Sequence, residues 1–203
     1  MERAVVERQE TILLAAQKLF SQFGLKKVTT DDIAKSAHVS KATIYKHYKN
    51  KNEIYSEVVY LEAKELLAGL RAAVSAQNSV ADKLRTHLLT RLHKIHSLVN
   101  LYNVTQETWS DFWPNLANIG QWFLDEERKI IKDVLDWGIK VGELEISRVD
   151  LVSYVTVSTL KSIELPWTLE ERGITAEEYV DIMVSIMING IGNRKHGDIN
   201  AAV

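Results

Sequence analysis

Apolar residues recur every three or four positions along most of this chain, which is the spacing of one face of an α-helix. The first such run lies between residues 3 and 23, at Ile12, Leu13, Ala16, Leu19, Phe20 and Phe23. Gly24 follows directly, and glycine is the usual residue where a helix ends in the left-handed conformation. The pattern predicts a first helix that ends at Phe23.

Two threonines and two aspartates predict the start of a second helix of about two turns, which runs to about residue 37. Thr29 or Thr30 can accept a hydrogen bond from the first free amides of this helix. Asp31 and Asp32 suit its positive N-terminal end. The second helix therefore begins a short loop after the first one ends.

A tight link at His38 separates this helix from a third short one. Ser40 is a good N-cap, and we expect the third helix to run through Tyr48. Ile44 and Tyr48 are four positions apart, which places both on the same face. Together with Val39 they form a thin apolar seam, and the other face of this helix is polar.

The rest of the chain also has the pattern of helices. Asn50 and Glu53 stand three positions apart like a capping box and open a long helix over 52–74. Further helices are expected over 80–99, 103–112, 114–141, 149–165 and 175–193. With 2 prolines and 9 glycines in 203 residues, the composition favours long helices over a turn-rich sheet protein. We predict an all-α fold.

Charge is distributed unevenly along the chain. Residues 1–51 contain 10 Lys or Arg against 5 Asp or Glu, a net charge of +5, whereas residues 52–203 contain 15 against 22, a net charge of −7. A basic segment beside an acidic remainder suits a contact with nucleic acid, because phosphate neutralisation supplies most of the non-specific affinity. A lysine-rich helix face can also simply be solvated, so charge alone does not decide the function.

Residues 29–54 combine these features in the sequence TTDDIAKSAHVSKATIYKHYKNKNEI. The order of helix, tight turn, helix and lysine cluster is that of a helix-turn-helix, whose second helix enters the major groove of DNA. The segment resembles the DNA-binding signature of TetR-family bacterial transcriptional regulators in TTDDIAKSA, VSKATIYKHY and KNKNEI, and LFSQFG before KKVTT matches as well. The resemblance is strong over residues 9–60 and implies a sequence-specific DNA-binding regulator.

The polar face of the third helix and its surroundings supply the candidate DNA-binding residues. Ala42 and Thr43 are small enough for close approach to the groove and can touch a thymine methyl, and Lys46 can reach guanine acceptors. The other members are phosphate candidates, and the whole predicted set is Thr30, Ser40, Lys41, Ala42, Thr43, Tyr45, Lys46, His47 and Lys51.

The chain departs from the family pattern at three positions. His38 stands where glycine is usual in the turn, Ala42 where glycine is frequent, and Tyr48 where phenylalanine is frequent. Histidine adopts positive φ more readily than most residues, so we expect the turn to be kept.

The resemblance implies that the remainder is a helical bundle for ligand binding and dimerisation. We predict a helix-turn-helix DNA-binding domain at 1–51, a connecting helix at 52–74, a ligand-sensing and dimerisation domain at 75–194 and a disordered tail at 195–203. Helices 149–165 and 175–193 carry more apolar residues than one core-facing stripe requires. We therefore expect a homodimer in which these two helices form a four-helix contact across a two-fold axis.

Aromatic residues indicate where a ligand would bind. All 5 tryptophans lie between residues 109 and 167, and ligand cavities are mostly apolar with a few polar groups. The candidate ligand-binding residues are His96, Tyr102, Trp109, Phe112, Trp113, Trp122 and Leu160. The same aromatic residues could instead fill the core. The expected effector is a small apolar or aromatic molecule that releases a repressor from operator DNA.

Other classes of function have less support in the sequence. No GxSxG, P-loop, HExxH or dinucleotide fingerprint is present, so we predict no enzyme and no cofactor. His93 and His96 lack further ligands at zinc-site spacing, and no metal site is predicted. A charged N-terminus, the lack of cysteine and the lack of a long apolar run lead us to expect a cytoplasmic protein. The alternatives are a helical protein-interaction adaptor, a small-molecule-binding protein without DNA activity and, more remotely, a helical enzyme with an aromatic pocket.

Overall fold

The computed structural model describes residues 2–95, 98, 100, 114–163 and 173–191. Eight α-helices lie within these residues, numbered here in chain order: α1 Glu2–Phe23, α2 Thr30–Ser36, α3 Lys41–His47, α4 Lys51–Ser75, α5 Val80–Ile95, α6 Pro114–Val141, α7 Val149–Ile163 and α8 Ala176–Ile191. The predicted all-α class is confirmed. None of the described helices is long and apolar enough to cross a lipid bilayer.

Most predicted helix bounds agree with the structure to within about two residues. α6 begins at Pro114, which suits a first helical turn because an N–H at that position has no partner within the helix. It ends before Gly142, whose φ is +79°, and Gly24 ends α1 in the same way with φ +77°. The predicted helix at 103–112 and the predicted disordered tail at 195–203 lie outside the described residues.

The described helices group into two compact units. Unit 1 consists of Met1–Glu65 and Ile95–Phe123, and unit 2 consists of Leu66–Lys94 and Leu124–Val203. The division of function at residues 51 and 74 stays a prediction.

Unit 1 has a core to which each of its four N-terminal helices contributes an apolar face. Within unit 1, the apolar residues of these helices exposed by 2% or less are Ile12, Ala16 and Phe20 from α1, Ile33 from α2, Ile44 from α3, and Ile54, Val58, Val59 and Ala63 from α4. The Phe20 ring meets the Tyr55 ring edge-on, with 5.1 Å between the ring centroids. Burial of each large apolar side chain stabilises the fold by about 1.5–3 kcal/mol. α2 and α3 depend on this burial, because helices of two turns are not stable by themselves.

A buried polar network joins α1 to α4 in unit 1. The Glu62 carboxylate, which is 2% exposed, accepts hydrogen bonds from Gln17 Nε2 at 3.0 Å and from Asn100 Nδ2 at 2.8 Å. Asn100 Nδ2 also donates to Ser21 Oγ at 3.0 Å, and the Tyr55 hydroxyl donates to the Asn100 carbonyl oxygen at 3.4 Å. Because buried polar groups need hydrogen-bond partners, the network holds Asn100 against both helices.

One predicted helix bound differs from the structure. The predicted helix at 80–99 is too long, because α5 ends at Ile95 and Leu98 is not helical. Asn100 uses its side-chain amide and its carbonyl for the bonds within unit 1. Asn100 is helical again, so the apolar periodicity of the predicted helix at 80–99 continued past the end of α5.

Unit 2 packs residues of α5, α6, α7 and α8 into a second core. Its most deeply buried apolar residues include Leu84 and Leu88 from α5, Ile131 and Leu135 from α6, Leu160 from α7 and Val180 from α8. Gly138 permits close packing where the last turn of α6 meets the first residue of α5. A Cβ atom at Gly138 would lie 2.6 Å from Val80 Cγ2 and 2.8 Å from Leu144 Cδ1, so any larger residue would displace its neighbours.

Candidate functional site

The N-terminus of α2 is closed by a reciprocal capping box. Thr29 Oγ1 accepts a hydrogen bond from the Asp32 amide at 3.2 Å, and Asp32 Oδ2 accepts one from the Thr29 amide at 2.9 Å. Hydrogen bonds from the side chain and then the backbone of Thr29 lower the pKa of Asp32. The predicted cap is confirmed at Thr29, and Thr30 lies half-buried in the first turn. The start of α2 is therefore well defined.

His38 makes the turn between α2 and α3. Its φ of 54° is the one positive value among the described residues other than glycine. The His38 amide donates to the Lys35 carbonyl at 3.2 Å, and the Val39 amide donates to the Ala34 carbonyl at 3.0 Å. These are the two hydrogen bonds of a Schellman motif, in which glycine usually occupies the left-handed position. The prediction that the turn is kept with histidine is confirmed.

α3 has a capped N-terminus and a buried face. Ser40 Oγ accepts a hydrogen bond from the Thr43 amide at 3.1 Å. Ile44 and Tyr48 are buried as predicted, while Val39 is half-buried. Burial, helped by two nearby glutamates, raises the pKa of Tyr48 to about 12, so its hydroxyl is neutral at physiological pH. The buried face fixes the rotation of α3 about its own axis.

The opposite face of α3 is open to solvent. Exposed residues on it are Lys41, Ala42, Tyr45 and Lys46, with Thr43 and His47 half-buried. The Tyr45 ring is 51% exposed in spite of its size. This face offers cationic, hydroxyl and small side chains together, and such groups can bond phosphates and base edges.

Lys41 is part of an ion pair on this surface. Its Nζ lies 2.9 Å from Asp31 Oδ2 of α2, and both side chains are about half exposed. The hydrogen bond from Lys41 to Asp31, followed by the charge of Asp31, raises the pKa of Lys41. Exposed pairs contribute little to stability, so a phosphate can replace Asp31 as the partner of this ammonium group.

Lys51, at the start of α4, is bonded within unit 1. Its Nζ donates to the carbonyl oxygens of Leu25 and Val28, each at 2.7 Å. Both carbonyls belong to the loop between α1 and α2, so the ammonium group ties this loop to α4. Two of the three N–H donors of Lys51 are thereby used. The predicted phosphate contact of Lys51 stays a prediction.

Two of the predicted ligand-binding residues lie within the described chain. The Trp122 ring is half-buried in unit 1, with its centroid 4.9 Å from that of Tyr60. Leu160 is 1% exposed and belongs to the core of unit 2. The other predicted members, His96, Tyr102, Trp109, Phe112 and Trp113, lie outside the described residues.

Unit 2 contains a buried charged cluster that the sequence analysis missed. Glu127 Oε1 of α6 lies 2.9 Å from Arg91 Nε and 3.2 Å from His87 Nε2, both of α5, and none of the three side chains is more than 1% exposed. Burial by itself would raise the pKa of Glu127. The charge of Arg91 and the hydrogen bond from His87 outweigh burial and leave this pKa below its ordinary value.

One signal in the sequence could have revealed this cluster. His87 and Arg91 stand four positions apart on the face of α5 that also carries Leu84 and Leu88. Polar residues within an apolar stripe are buried when the helix packs, and buried charges need a partner. The identity of the partner, Glu127, was not readable from local spacing.

α7 and α8 expose large apolar side chains, which we call the α7–α8 apolar face. Its most exposed members are Leu151, Tyr154 and Val155 of α7 and Ile182 and Ile186 of α8. Most of them, together with Tyr179, Met183 and Met187, line an open groove of about 590 Å³. Contiguous exposed apolar surfaces of this kind mark interaction sites.

Comparison with known proteins gives consistent results along the chain. Residues 12–58 match the family model described as bacterial regulatory proteins, tetR family. The uncharacterized HTH-type transcriptional regulator YhgD of Bacillus subtilis is 26% identical over 194 residues, which cover 92% of this chain and 97% of that protein. The HTH-type transcriptional repressor KstR2 of Mycolicibacterium smegmatis is 26% identical over 198 residues, which cover 96% of this chain and 95% of that protein.

A solved structure shares the fold. FadR from Bacillus subtilis, determined in complex with stearoyl-CoA, superposes with a TM-score of 0.70 at 20% identity, over 90% of this chain and 98% of that one.

The family match falls on the part of the chain where the helix-turn-helix geometry was found. Residues 12–58 contain the capping box at Thr29, the turn at His38 and the exposed face of α3. The relatives that match along almost their whole length are transcriptional regulators and not enzymes. The chain is therefore a DNA-binding transcriptional regulator whose residues 12–58 match the DNA-binding segment of the TetR family.

Proposed function

We propose that this protein is a dimeric repressor that binds operator DNA through α3 and leaves it when a small apolar molecule binds. The exposed face of α3 is the observation that carries the proposal. The capped N-terminus at Ser40, the turn at His38 and the buried side chains of Ile44 and Tyr48 hold this face in one orientation. A rigid helix presented in this way suits insertion into a major groove.

The proposed contacts with DNA divide into two groups. Ala42 and Thr43 would approach base edges and thymine methyl groups, and Lys46 would bond guanine acceptors. The proposed phosphate contacts are Thr30, Ser40, Lys41, Tyr45, His47 and the remaining N–H of Lys51. Phosphate contacts position the helix, whereas base contacts provide the sequence specificity.

A homodimer is the second part of the proposal, and the α7–α8 apolar face supports it. Ile182 and Ile186 are each more than 60% exposed, which is unfavourable unless a partner covers them. A second copy of the chain, related by a two-fold axis, would bury both helices in a four-helix contact. Two copies of α3 would then read two half-sites of an operator.

The effector is proposed to be a molecule with a large apolar part. The related FadR structure contains stearoyl-CoA, which carries a long acyl chain. The proposed effector contacts are His96, Tyr102, Trp109, Phe112, Trp113, Trp122 and Leu160. Aromatic and aliphatic side chains of this kind favour apolar ligands.

α4 is the proposed mechanical link between effector and DNA. It runs without interruption from Lys51 to Ser75, a length of about 37 Å at the standard helical rise. A shift of this helix would change the separation of the two copies of α3. The effector must bind the DNA-incompetent state better, and typical coupling of about 1–3 kcal/mol would weaken DNA binding by roughly 5- to 150-fold.

The first experiment measures binding to DNA that flanks the gene of this protein, by fluorescence anisotropy across a salt series. We expect specific binding that falls linearly with the logarithm of the salt concentration. Lys46→Ala should weaken it by about 1–3 kcal/mol and relax the preference for guanine at one operator position, because a contact to a base edge is lost. Tyr45→Ala should weaken it as well.

The matched control is Lys140→Ala, an exposed lysine in the last turn of α6, which should leave affinity and salt slope unchanged. Equal effects of Lys46→Ala and Lys140→Ala would contradict the proposed role of α3. Failure to prefer any sequence over random DNA, in a genome-wide selection as well, would favour the adaptor alternative.

The dimer is tested by sedimentation of the wild-type chain and of Ile186→Glu. A charge in place of an apolar side chain at the centre of the proposed contact should produce monomers. Leu14→Glu is the control, because Leu14 of α1 is equally exposed at 66% and lies outside the α7–α8 apolar face. A wild-type monomer, or a dimeric Ile186→Glu variant, would refute the proposed contact.

A further inference from the structure

The loop between α1 and α2 carries two neighbouring lysines that the predicted DNA-binding set does not include. Lys26 and Lys27 are both exposed, and they lie between Leu25 and Val28, whose side chains are 6% and 2% exposed. The two buried side chains fix the ends of this short segment in the core of unit 1. Both lysines are therefore presented to solvent from a segment that is anchored on either side.

The ammonium group of Lys51 also holds the backbone of this loop. It donates to the carbonyl oxygens of Leu25 and Val28, each at 2.7 Å, and so bridges the residues on either side of Lys26 and Lys27. The backbone that carries both lysines is thereby fixed before any partner binds. A contact made from such a pre-organised segment costs less conformational entropy than one made from a loose loop.

Positive charge is concentrated at this place. Residues 24–29 and 49–52, GLKKVT and KNKN, contain four lysines and no Asp or Glu. The three nearest carboxylates along the chain each have another partner, namely Lys41 for Asp31, Thr29 for Asp32 and the backbone amide of Lys49 for Glu53. Like charges placed together repel each other, and an anion that binds beside them relieves this repulsion. The segment is therefore suited to an anionic partner.

The loop leads directly to the N-terminal ends of α2 and α3. Asp31, in the first turn of α2, lies 2.9 Å from Lys41 at the start of α3. Lys27 precedes Asp31 by four residues, so their Cα atoms are no more than about 14 Å apart. The major groove is about 12 Å wide and has a phosphate backbone along each edge. When α3 enters the groove, the loop therefore comes close to one of these edges.

We propose that Lys26 and Lys27 bind backbone phosphates of the operator at one edge of the groove that α3 enters. The proposal rests on the proposed function, because it requires α3 in that groove. Lys51 is the positioning residue of this contact, since it fixes the segment that carries both lysines. Contacts to phosphates position a protein on the duplex and do not read its sequence.

The test measures fluorescence anisotropy of the full chain across a salt series, on DNA that flanks its gene and on a random duplex of equal length. In Lys26→Ala/Lys27→Ala the salt slope should be smaller by about 0.9 for each lysine of each bound protomer. At about 0.15 M salt this slope corresponds to roughly 5-fold weaker binding for each lysine. Both DNAs should lose affinity by the same factor, because the lost contacts carry no sequence information.

Two further variants separate a phosphate contact from a general effect of charge or folding. Lys18→Ala/Lys140→Ala removes the same charge from exposed positions on α1 and α6 and should keep the wild-type slope. Lys26→Arg/Lys27→Arg retains both charges and should keep it as well. The proposal is overturned if the alanine variant of the loop has the slope of the Lys18/Lys140 control. It is also overturned if the affinity loss is confined to the operator.

The outcome for this inference is distinguishable from that for the proposed function. Operator binding that depends on Lys46 and not on Lys26 and Lys27 overturns the inference alone. Binding that depends on Lys26 and Lys27 but shows no preference for any sequence supports these phosphate contacts and overturns the proposed repressor. Operator binding that depends on both sets of residues supports both.

Discussion

Replacing Lys51 with methionine separates a structural role of this residue from a role in DNA contact. Methionine keeps the apolar stem and removes the ammonium group, which donates at 2.7 Å to the carbonyl oxygens of Leu25 and Val28. If these bonds hold the loop between α1 and α2, unit 1 should become less stable. If Lys51 serves only the DNA, stability should not change.

The magnitude follows from the two hydrogen bonds. A hydrogen bond to a charged group contributes about 1.5–3 kcal/mol when it is buried, and solvent at the half-buried position of Lys51 reduces each bond to about 1–1.5 kcal/mol. We expect the two bonds together to contribute about 2–3 kcal/mol to the free energy of unfolding. At 1.4 kcal/mol for each factor of ten, the population of open states should rise roughly 30- to 150-fold.

Native-state hydrogen exchange of α1, α2 and α3 is the assay, because it reports the opening of unit 1 separately from unit 2. Exchange in Lys51→Met should be faster by that factor, whereas Lys49→Met, an exposed lysine two residues away, should exchange like the wild type. The reasoning is refuted if Lys51→Met exchanges within about 3-fold of the wild type. In that case we would compare how steeply DNA binding falls with the logarithm of the salt concentration. A slope smaller by about 0.9 in Lys51→Met, the value for one phosphate that is no longer neutralised, would show that Lys51 contacts the DNA.

Three further predictions concern the same unit. Thr29→Ala should lower the free energy of unfolding by about 1 kcal/mol in urea titrations, because the capping box is removed; an unchanged midpoint would contradict this. His38→Gly should raise it by about 0.5–1 kcal/mol, since glycine relieves the left-handed backbone; a loss of stability would refute that reasoning. Tyr48 has its pKa raised from 10.0 to about 12 in the folded chain, so its stabilising contribution is complete below pH 10 and lost as the pH rises toward 12. Tyr48→Phe should therefore weaken the alkaline decline of stability, and an identical pH profile would argue against it.

Local sequence signals were sufficient for most of the fold. The capping box at Thr29, the cap at Ser40 and the turn at His38 act within five residues of the chain, so their geometry follows from residue types and spacing. The burial of Ile44 and Tyr48 follows from helical periodicity in the same way. The exposed face of α3 could be predicted because it lies on the side of the helix opposite to the buried residues Ile44 and Tyr48.

Pairings between distant residues could not be predicted. Lys51 bonds the carbonyl oxygens of residues that lie 26 and 23 positions earlier. The sequence analysis predicted only a contact between Lys51 and a DNA phosphate. Asn100 bonds Glu62, which lies 38 positions earlier. Any lysine or asparagine has the same local appearance whether its partner is water or a buried acceptor.

The sequence by itself determined the helices, their caps and the residues that α3 presents to solvent, because these depend on neighbours along the chain. Only the tertiary structure decided that Glu127 meets His87 and Arg91 across 40 and 36 positions. Packing brings such groups together, and their low-dielectric surroundings then determine their charge and the partners they require. Charged groups that meet across such distances therefore belong to the part of the protein that spacing along the chain does not reveal.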